Sequence, residues 1–244
     1  MAAPLLVFDL DGTLVDSAPD LLATLNTVLP RHGFAADHDP DLRDGIGHGA
    51  RHLIEFALHR QNAAASDQQL DAMHRDFLDY YEANICVETR LYPGLLDLLD
   101  RFENAGWRFA VCTNKIEALS RLVLRKLGVA QRFEAVAGGD TFATRKPDPA
   151  HLLGAIAMAR AVPDRALMVG DSRTDLDTAR SAGVPVIGVS FGYTPVPMAE
   201  LGPDLLLDSY DDLRPEMAET MVAGRAQRRR RAMAAKRKPL AAVS

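Results

Sequence analysis

Four short apolar runs, each ending at polar residues, set the strongest limit on how this chain of 244 residues can fold. The runs are Leu5–Phe8, Phe109–Cys112, Ala166–Val169 and Val186–Val189. Each has the length of a buried strand, and stretches of about ten or more residues with helical periodicity separate them. Because strands that alternate with helices form parallel sheets covered on both faces, the sequence predicts an α/β fold with a doubly wound parallel sheet.

Residues 17–90 interrupt this alternation, because they contain no good candidate strand. Their apolar residues follow helical periodicity instead, over roughly 18–30, 49–61 and 67–84. We therefore interpret residues 17–90 as an inserted helical domain between the first strand and the rest of the core. On this interpretation the α/β core comprises residues 1–16 and 91–215.

The charge of the chain is unevenly distributed. The formal net charge is −5, but residues 224–244 contain eight basic residues and no acidic one. The 20 basic and 33 acidic residues that remain give residues 1–223 a net charge of −13. We expect residues 216–244 to form a disordered or loosely helical basic tail. Such a tail attracts nucleic acids and anionic membranes, but it lacks aromatic residues for base stacking, so a solvated tail is the simpler interpretation.

The cysteine content and the length of the apolar runs exclude several classes of protein. Cys86 and Cys112 are too few for a disulfide framework and lack the spacing of a zinc site. No apolar run approaches the roughly 20 residues of a membrane span. The apolar N-terminal run leads directly into Asp9 and Asp11 instead of a signal-peptide cleavage site. We therefore expect a cytoplasmic, soluble protein without a membrane span, and the sequence leaves open whether it is a monomer or a homodimer.

Two acidic residues, Asp9 and Asp11, follow the first predicted strand. Carboxylates at positions i and i+2 of an extended segment point to the same side. They repel each other unless a cation lies between them or one carries a proton. A hard cation such as Mg²⁺ prefers oxygen ligands, and Gly12 allows a sharp turn that directs backbone amides toward an anion. The alternative is an ordinary acidic surface turn.

Other polar residues follow the later strands, and each alone has a structural explanation. Thr113 and Asn114 could cap the next helix, Lys146 could be solvated in its polar loop, and Asp175 could complement a helix dipole. Asp171 lies directly after the strand that precedes Asp175. Ligands of parallel sheets bind at the carboxyl ends of the strands. The set as a whole therefore predicts a single polar site at that edge.

These segments together resemble the four motifs of the haloacid dehalogenase superfamily, in the same order and spacing, over roughly residues 5–213. The matching segments are Phe8–Leu14, Thr113-Asn114, Lys146-Pro147, and Gly170-Asp171 with Asp175. Within the superfamily, four segments are similar to bacterial phosphoglycolate phosphatases: Asp16–Leu21, Gly45–Gly49, Thr113–Lys115 and Gly170–Arg173. The resemblance implies a Rossmann-like core with an inserted α-helical cap domain.

The resemblance also implies a role for each residue. Asp9 would be the nucleophile that forms an aspartyl-phosphate, and Asp11 would protonate the leaving oxygen and then activate water. Magnesium would be bound by the Asp9 carboxylate, the Asp11 backbone carbonyl and Asp171, with Asp175 supporting the site. Metal ligation would keep Asp9 ionised and leave Asp11 freer to carry the proton. The substrate-binding residues would be Thr113, Asn114, Lys146 and Gly12.

The implied activity is the magnesium-dependent hydrolysis of a small phosphorylated metabolite, with 2-phosphoglycolate as the expected substrate. Alternatives are a sugar-phosphate phosphatase, such as one acting on N-acetylmuramic acid 6-phosphate, and a phosphomutase of the same superfamily. A polyanion-binding protein that acts through its basic tail is the alternative from another class. Asp11 argues against a dehalogenase, because a halide needs no proton. The glycine turn 45–49, with His48 and Arg51, is the candidate site for a substrate carboxylate.

Overall fold

The computed structural model describes residues 3–236, with side-chain contacts up to Arg225. Its strands are β1 (Leu5–Phe8), β2 (Val15–Asp16), β3 (Arg90–Leu91), β4 (Arg108–Cys112), β5 (Phe133–Ala137), β6 (Ala166–Gly170), β7 (Val186–Val189) and β8 (Leu205–Leu207). Its α-helices are α1 (Ala18–Arg31), α2 (Ala50–Arg60), α3 (Asp67–Ala83), α4 (Leu95–Asn104), α5 (Glu117–Lys126), α6 (Pro149–Met158), α7 (Arg173–Ala182), α8 (Met198–Leu201) and α9 (Pro215–Lys236).

A parallel sheet of six strands, in the order β5-β4-β1-β6-β7-β8, forms the centre of the fold. Phe8 at the end of β1 pairs with Val111 of β4 on one side and Val169 of β6 on the other. The segments that follow these three strands therefore leave the sheet side by side, at its carboxyl edge. This arrangement confirms the predicted doubly wound α/β fold.

The two faces of the sheet are buried under different helices. Leu6 and Phe8 of β1 pack into the apolar layer that includes α4 and α5, whereas Leu5 and Val7 face the layer of α6 and α7. All four side chains are fully buried. A strand covered on both faces needs a continuous apolar run, which is why β1 is recognisable in the sequence.

Two strands of the main sheet, β5 and β8, carry no such signal and are additions to the predicted set. β5 contains the exposed Glu134 and three small or medium apolar residues. β8 has only three residues and lies at the edge of the sheet, where Leu206 is exposed. The apolar-run criterion finds strands at the centre of a sheet more readily than strands at its edges.

Helices α1, α2 and α3 confirm the helical periodicity of the inserted segment. They lie between β2 and β3, which pair antiparallel through Val15 with Leu91 and Asp16 with Arg90. α1 and α2 both pack against α3, whose N-terminus is closed by a capping box between Ser66 and Gln69. We propose that this inserted segment acts as a cap over the sheet edge.

The C-terminal segment is helical over its described part, and its first turns pack against the core. Residues Pro215–Lys236 form helix α9, and Ala218 and Val222 on its first turns are buried in the core. Their spacing of four places both on one helix face, and burying that face stabilises the helix. The expectation for residues 237–244 lies outside the described residues. None of the helices between residues 3 and 236 combines the length and hydropathy that a membrane span requires.

Candidate active site

The sequence-predicted site residues all lie at the carboxyl edge of the sheet, and all are buried. Those with polar side chains are Asp9, Asp11, Thr113, Asn114, Lys146, Asp171 and Asp175, each 8% exposed or less. Gly12 is buried among them. Residues separated by more than 160 positions in the chain thus share one site, because β1, β4 and β6 are neighbours in the sheet.

Asp9 is held between its own backbone and Lys146. Its Oδ1 accepts a hydrogen bond from the Leu10 amide at 2.7 Å and lies 2.9 Å from the Lys146 Nζ. The Lys146 ammonium also donates to Asp175 Oδ1 at 2.6 Å. Burial raises the pKa of Asp9 to about 6, and the charge of Lys146 opposes this rise. Lys146 thus joins the acid after β1 to the acid at the start of α7.

Asp11 has a separate cationic partner. Its Oδ1 accepts hydrogen bonds from Ser17 Oγ at 2.6 Å and from Lys115 Nζ at 3.0 Å, and its Oδ2 lies 3.2 Å from the same ammonium. Burial disfavours the charged form of Lys115, but the Asp11 carboxylate holds the pKa of Lys115 above its usual value. Asp9 and Asp11 thus each have a lysine partner of their own.

Asp9, Asp171 and Asp175 form the acidic cluster that could hold a metal ion, with one oxygen from each lying within 4.8 Å of the others. The Asp171 carboxylate also accepts hydrogen bonds from Thr13 Oγ1 at 2.8 Å and from the Tyr193 amide at 2.9 Å. Burial, together with the charges of Asp175 and Asp9, raises the pKa of Asp171 to about 8. At this site the buried carboxyl groups outnumber the lysine side chains that pair with them.

The charge balance of the site fits a divalent cation. Four buried carboxyl groups meet two buried ammonium groups, so that with all four ionised two negative charges lack a buried cationic partner among the described residues. Carboxylate oxygens are the ligands that Mg²⁺ prefers. A doubly charged hard cation therefore matches both the donor type and the surplus charge.

Two glycines allow the backbone to approach Asp171 closely. Gly12 has a φ of +82°, and a Cβ placed there would lie 2.4 Å from Asp171 Oδ2. A Cβ on Gly192, in the loop after β7, would lie 2.1 Å from the Asp171 Cβ. The sequence pattern predicted Gly12, but Gly192 and its neighbour Tyr193 were not identified, although the predicted strand Val186–Val189 directly precedes their loop and could have indicated them.

Lys146 is positioned by a histidine that the sequence analysis did not single out. His151, on the first turns of α6, accepts a hydrogen bond from the Lys146 amide on Nδ1 at 3.1 Å. Its Nε2 donates to the Gly138 carbonyl at 3.0 Å. Burial lowers the pKa of His151 to about 4, and the charge of Lys146 adds to this effect. The ring is therefore neutral, with its proton on Nε2.

Asn114 and Thr113 present different groups to the site. The Asn114 side-chain amide donates to the carbonyls of Gly47 and Lys146, both at 3.2 Å. Its carboxamide therefore links the inserted helical segment to the core loop. The Thr113 hydroxyl accepts a weak hydrogen bond from the Lys115 amide at 3.3 Å, which leaves its proton available to an anion.

Tyr193 and Asp20 form hydrogen bonds with the segments around β2 and β3, through which the chain enters and leaves the inserted helices. The Tyr193 hydroxyl accepts from the Ser17 amide at 2.7 Å and donates to Asp16 Oδ1 at 2.6 Å. The Asp20 carboxylate accepts from the Glu88 amide, the Thr89 amide and the Thr89 hydroxyl. The segment Asp16–Asp20 therefore joins the site to the base of the inserted domain.

A cavity of about 290 Å³ lies between the core and the inserted helices. Asp9, Asp11 and Lys115 line its core side, and Phe77 and Tyr81 of α3 line the opposite side. Arg51 also reaches this cavity, but it is exposed and paired with Glu55, Asp67 and Asp71 of the inserted helices. Burial lowers the pKa of His48, with His52 adding to the effect, which disfavours its cationic form.

Comparison with known proteins gives consistent matches. Residues 6–189 match the family model described as haloacid dehalogenase-like hydrolase. The chain is 46% identical over 222 residues to a phosphoglycolate phosphatase of Mesorhizobium japonicum, covering 91% of this chain and 98% of that protein. It is 44% identical over 221 residues to a phosphoglycolate phosphatase of Agrobacterium fabrum, covering 91% and 95%.

Solved structures agree with these sequence matches. The structure of a predicted phosphoglycolate phosphatase from Haemophilus somnus superimposes with a TM-score of 0.80 at 31% identity, covering 86% of this chain and 96% of that chain. The family model, the sequence relatives and the solved structure all span both the core and the inserted helices. The chain therefore belongs to the haloacid dehalogenase-like hydrolase family and is a phosphatase.

Proposed function

We propose that this protein hydrolyses 2-phosphoglycolate to glycolate and phosphate in a magnesium-dependent reaction with an aspartyl-phosphate intermediate on Asp9. The observation that carries the proposal is the pairing of Asp9 and Asp11 with separate lysines at a cavity of about 290 Å³. That volume is at the small end of the range for ligand pockets. The two relatives named phosphoglycolate phosphatase support the choice of substrate.

The reaction proceeds in two displacements at phosphorus. In the first, the Asp9 carboxylate attacks the phosphorus, the bond to the ester oxygen breaks, and Asp11 donates a proton to the departing glycolate oxygen. In the second, Asp11 removes a proton from a water molecule whose oxygen attacks the phosphorus. The bond between phosphorus and Asp9 then breaks, and both aspartates return to their starting states.

The phosphoryl oxygens are held by donors that the fold supplies in advance. Lys146 already lies against Asp9, so its ammonium neutralises charge on a phosphoryl group transferred to that carboxylate. The Thr113 hydroxyl and the backbone amide of Asn114 provide further donors, whereas the Gly12 amide already donates to the Val15 carbonyl at 2.9 Å. The Asn114 side chain is engaged with backbone carbonyls, so its contribution comes from the main chain.

Asp9, Asp171 and the backbone carbonyl of Asp11 would hold Mg²⁺, and Asp175 would support them from the same cluster. When bound, the ion supplies positive charge that stabilises the phosphoryl oxygens during transfer. Asp175 has a second task, because its Oδ1 accepts from Lys146 while its Oδ2 accepts from the Ser172 amide and hydroxyl. It therefore fixes the lysine relative to Asp9.

Helices α1–α3 form the cap in this proposal, and their closure over the sheet edge excludes water from the site. The hydrogen bond between Asn114 and the Gly47 carbonyl joins the two parts at the cavity. The antiparallel pair of β2 and β3 forms the connection between them. Closure confines the hydrolytic water to the position next to Asp11.

The test is a comparison of kcat/KM with Mg²⁺ across 2-phosphoglycolate, several sugar phosphates and nucleoside monophosphates. We expect 2-phosphoglycolate to exceed every other ester by about 100-fold or more, equivalent to roughly 2.7 kcal/mol. A sugar phosphate at the top of the series would contradict the proposed substrate and support a sugar-phosphate phosphatase. Turnover that requires a phosphorylated sugar as acceptor would support a phosphomutase.

The covalent mechanism is tested by Asp9→Asn, which keeps the shape of the side chain but removes its nucleophilic charge. We expect kcat to fall by at least about 1,000-fold, because an essential group in a covalent mechanism is lost. Asp97→Asn on the exposed face of α4 is the matched control and retains full activity. An Asp9→Asn enzyme with near-normal kcat would overturn the aspartyl-phosphate mechanism.

A further inference from the structure

We propose that Lys115 binds the carboxylate of the substrate, with help from the Tyr81 hydroxyl, and thereby sets the preference for phosphate esters that carry a carboxylate. This inference rests on the proposed function and identifies the residues that recognise the part of the substrate beyond the phosphoryl group. The four sequence motifs do not include either side chain as a site residue. Both lie on the cavity between the core and the inserted helices.

Lys115 is a buried cation in direct contact with Asp11. Its side chain is 7% exposed, and its Nζ lies 3.0 Å and 3.2 Å from the two Asp11 oxygens. On its other side the ammonium faces the Tyr81 ring, 4.4 Å from the ring centroid. The ammonium therefore lies between the acid of the core and an aromatic residue of α3, at the wall of the cavity.

The length of the substrate places its carboxylate near this ammonium. In 2-phosphoglycolate a single methylene separates the ester oxygen from the carboxylate, so a carboxylate oxygen lies about 3 Å from the ester oxygen by ordinary bond lengths. Asp11 donates its proton to that ester oxygen, at a hydrogen-bond distance of about 2.7 Å. Since Lys115 Nζ lies 3.0 Å from Asp11 Oδ1, the substrate carboxylate is within reach of the ammonium.

Tyr81 provides an independent sign that a ligand belongs here. Its side chain is fully buried and lines the cavity, and its hydroxyl lies beside the Lys115 ammonium but donates its proton to no acceptor among the described residues. A buried polar group without a partner is destabilising. A carboxylate held by Lys115 would accept a hydrogen bond from this hydroxyl, and the ligand would satisfy the group that the protein leaves unpaired.

The other cations near the cavity are less suited to this task. Arg51 is exposed and already paired with three acids. Arg145 lines the cavity, but it also lines the open groove outside it and is exposed to solvent. A cation in water discriminates weakly between charged and neutral ligands, whereas a buried one leaves a large penalty when its partner is missing.

The experiment compares 2-phosphoglycolate with 2-hydroxyethyl phosphate, which has the same length but a neutral end. The measured quantity is the ratio of the two kcat/KM values in the wild type, Lys115→Met and Arg145→Met. We expect Lys115→Met to lower the ratio by about 10- to 100-fold, the effect of one hydrogen bond to a charged group. Activity on the neutral ester also falls, because Asp11 loses its partner, but the ratio removes this shared effect.

Arg145→Met is the matched control, since it removes a cation from the outer part of the same cavity. We expect it to keep the wild-type ratio within about threefold, a difference below 1 kcal/mol. Lys115→Arg keeps the positive charge, so we expect it to retain most of the wild-type ratio of kcat/KM for 2-phosphoglycolate to kcat/KM for 2-hydroxyethyl phosphate. An unchanged ratio in Lys115→Met, or a loss confined to Arg145→Met, would overturn the assignment of the carboxylate to Lys115.

Tyr81→Phe provides a second test that leaves the buried ion pair intact. It keeps the ring beneath the ammonium and removes only the hydroxyl, and we expect the ratio to fall by about 3- to 10-fold. No change in this variant would remove Tyr81 from the proposal. A wild-type enzyme with no preference for 2-phosphoglycolate would refute the proposed substrate itself, whereas a preference that survives Lys115→Met refutes only the role of Lys115.

Discussion

The two carboxylates of the Asp9-Leu10-Asp11 segment are held by different lysines, and this separates their chemistry. Asp9 lies with Lys146 and the acidic cluster that fits a cation, whereas Asp11 lies with Ser17 and Lys115 on the side of the cavity. In the proposed mechanism, Asp9 attacks the phosphorus and Asp11 transfers the proton at the ester oxygen. Two carboxylates with similar sequence positions acquire different roles from their surroundings.

His151 couples the pH dependence of stability to the position of Lys146. Its ring accepts from the Lys146 amide and donates to the Gly138 carbonyl, and both bonds require the neutral form. The pKa of His151 is lowered to about 4, so between pH 6.5 and 4 the unfolded state binds a proton that the folded state does not. The stabilisation is fully present above pH 6.5 and is lost as the pH falls to 4.

We therefore expect His151→Gln to weaken the acid sensitivity of the fold. The variant is less stable than the wild type at pH 7.5, because two hydrogen bonds of the ring are lost or weakened. Its free energy of unfolding, measured by urea denaturation, falls less between pH 7.5 and pH 5 than that of the wild type. Equal slopes for the two proteins in this window would show that His151 does not contribute to the acid sensitivity.

At the level of secondary-structure elements, β2 and β3 act as the connection between the sheet and helices α1–α3. The first turn of α1 supplies Asp20, whose carboxylate accepts three hydrogen bonds from the chain segment that returns toward β3. The outgoing and returning segments are thus fixed to each other by one buried acid. If helices α1–α3 act as the proposed cap, this short connection would be its hinge.

Asp20→Ala tests this connection. The substitution leaves the Thr89 amide and hydroxyl without their partner, and Thr89 is fully buried. We expect a loss of about 2–4 kcal/mol in the free energy of unfolding, together with a lower kcat/KM. Asp20→Asn, which keeps one acceptor oxygen, shows a smaller loss in both measurements. A stable Asp20→Ala variant with normal kinetics would mean that the connection does not depend on this residue.

At the level of the whole molecule, we expect a divalent cation to stabilise the protein, because the buried carboxyl groups of the site outnumber its buried ammonium groups. Mg²⁺ at about 100 times its Kd should add roughly 2.7 kcal/mol to the stability. For a protein of this size, that corresponds to a rise in Tm of about 5–10 °C. Chelator should reverse the rise and stop turnover.

Asp171→Asn is the control for the metal, because it removes one carboxylate of the cluster while keeping the side-chain shape. Without Mg²⁺ its Tm should equal or exceed that of the wild type, since the surplus charge is smaller. Addition of Mg²⁺ should then have little effect. Identical Mg²⁺-dependent shifts in the two proteins, measured by thermal denaturation, would place the stabilising ion elsewhere.

The sequence by itself determined the sheet centre and the acids attached to it. Strands buried on both faces need continuous apolar runs, so β1, β4, β6 and β7 were visible, and the polar residues directly after the first three of these strands were identified as part of the site. Helices α1–α3 were visible for a related reason, since burial of one face requires apolar residues at helical spacing. These are local patterns, and a local pattern can be read without knowledge of the fold.

Only the tertiary structure decided how the charges are paired. Lys115 meets Asp11 across 104 positions of the chain, and the Tyr193 hydroxyl meets the Ser17 amide across 176. Three other features also depend on contacts between distant parts of the chain or on local packing that no pattern predicts. They are the packing of α9, the placement of Lys146 by His151, and the separate lysines of Asp9 and Asp11. No periodicity encodes such contacts, because they depend on which strands become neighbours and on how closely Gly12 and Gly192 let the backbone approach Asp171.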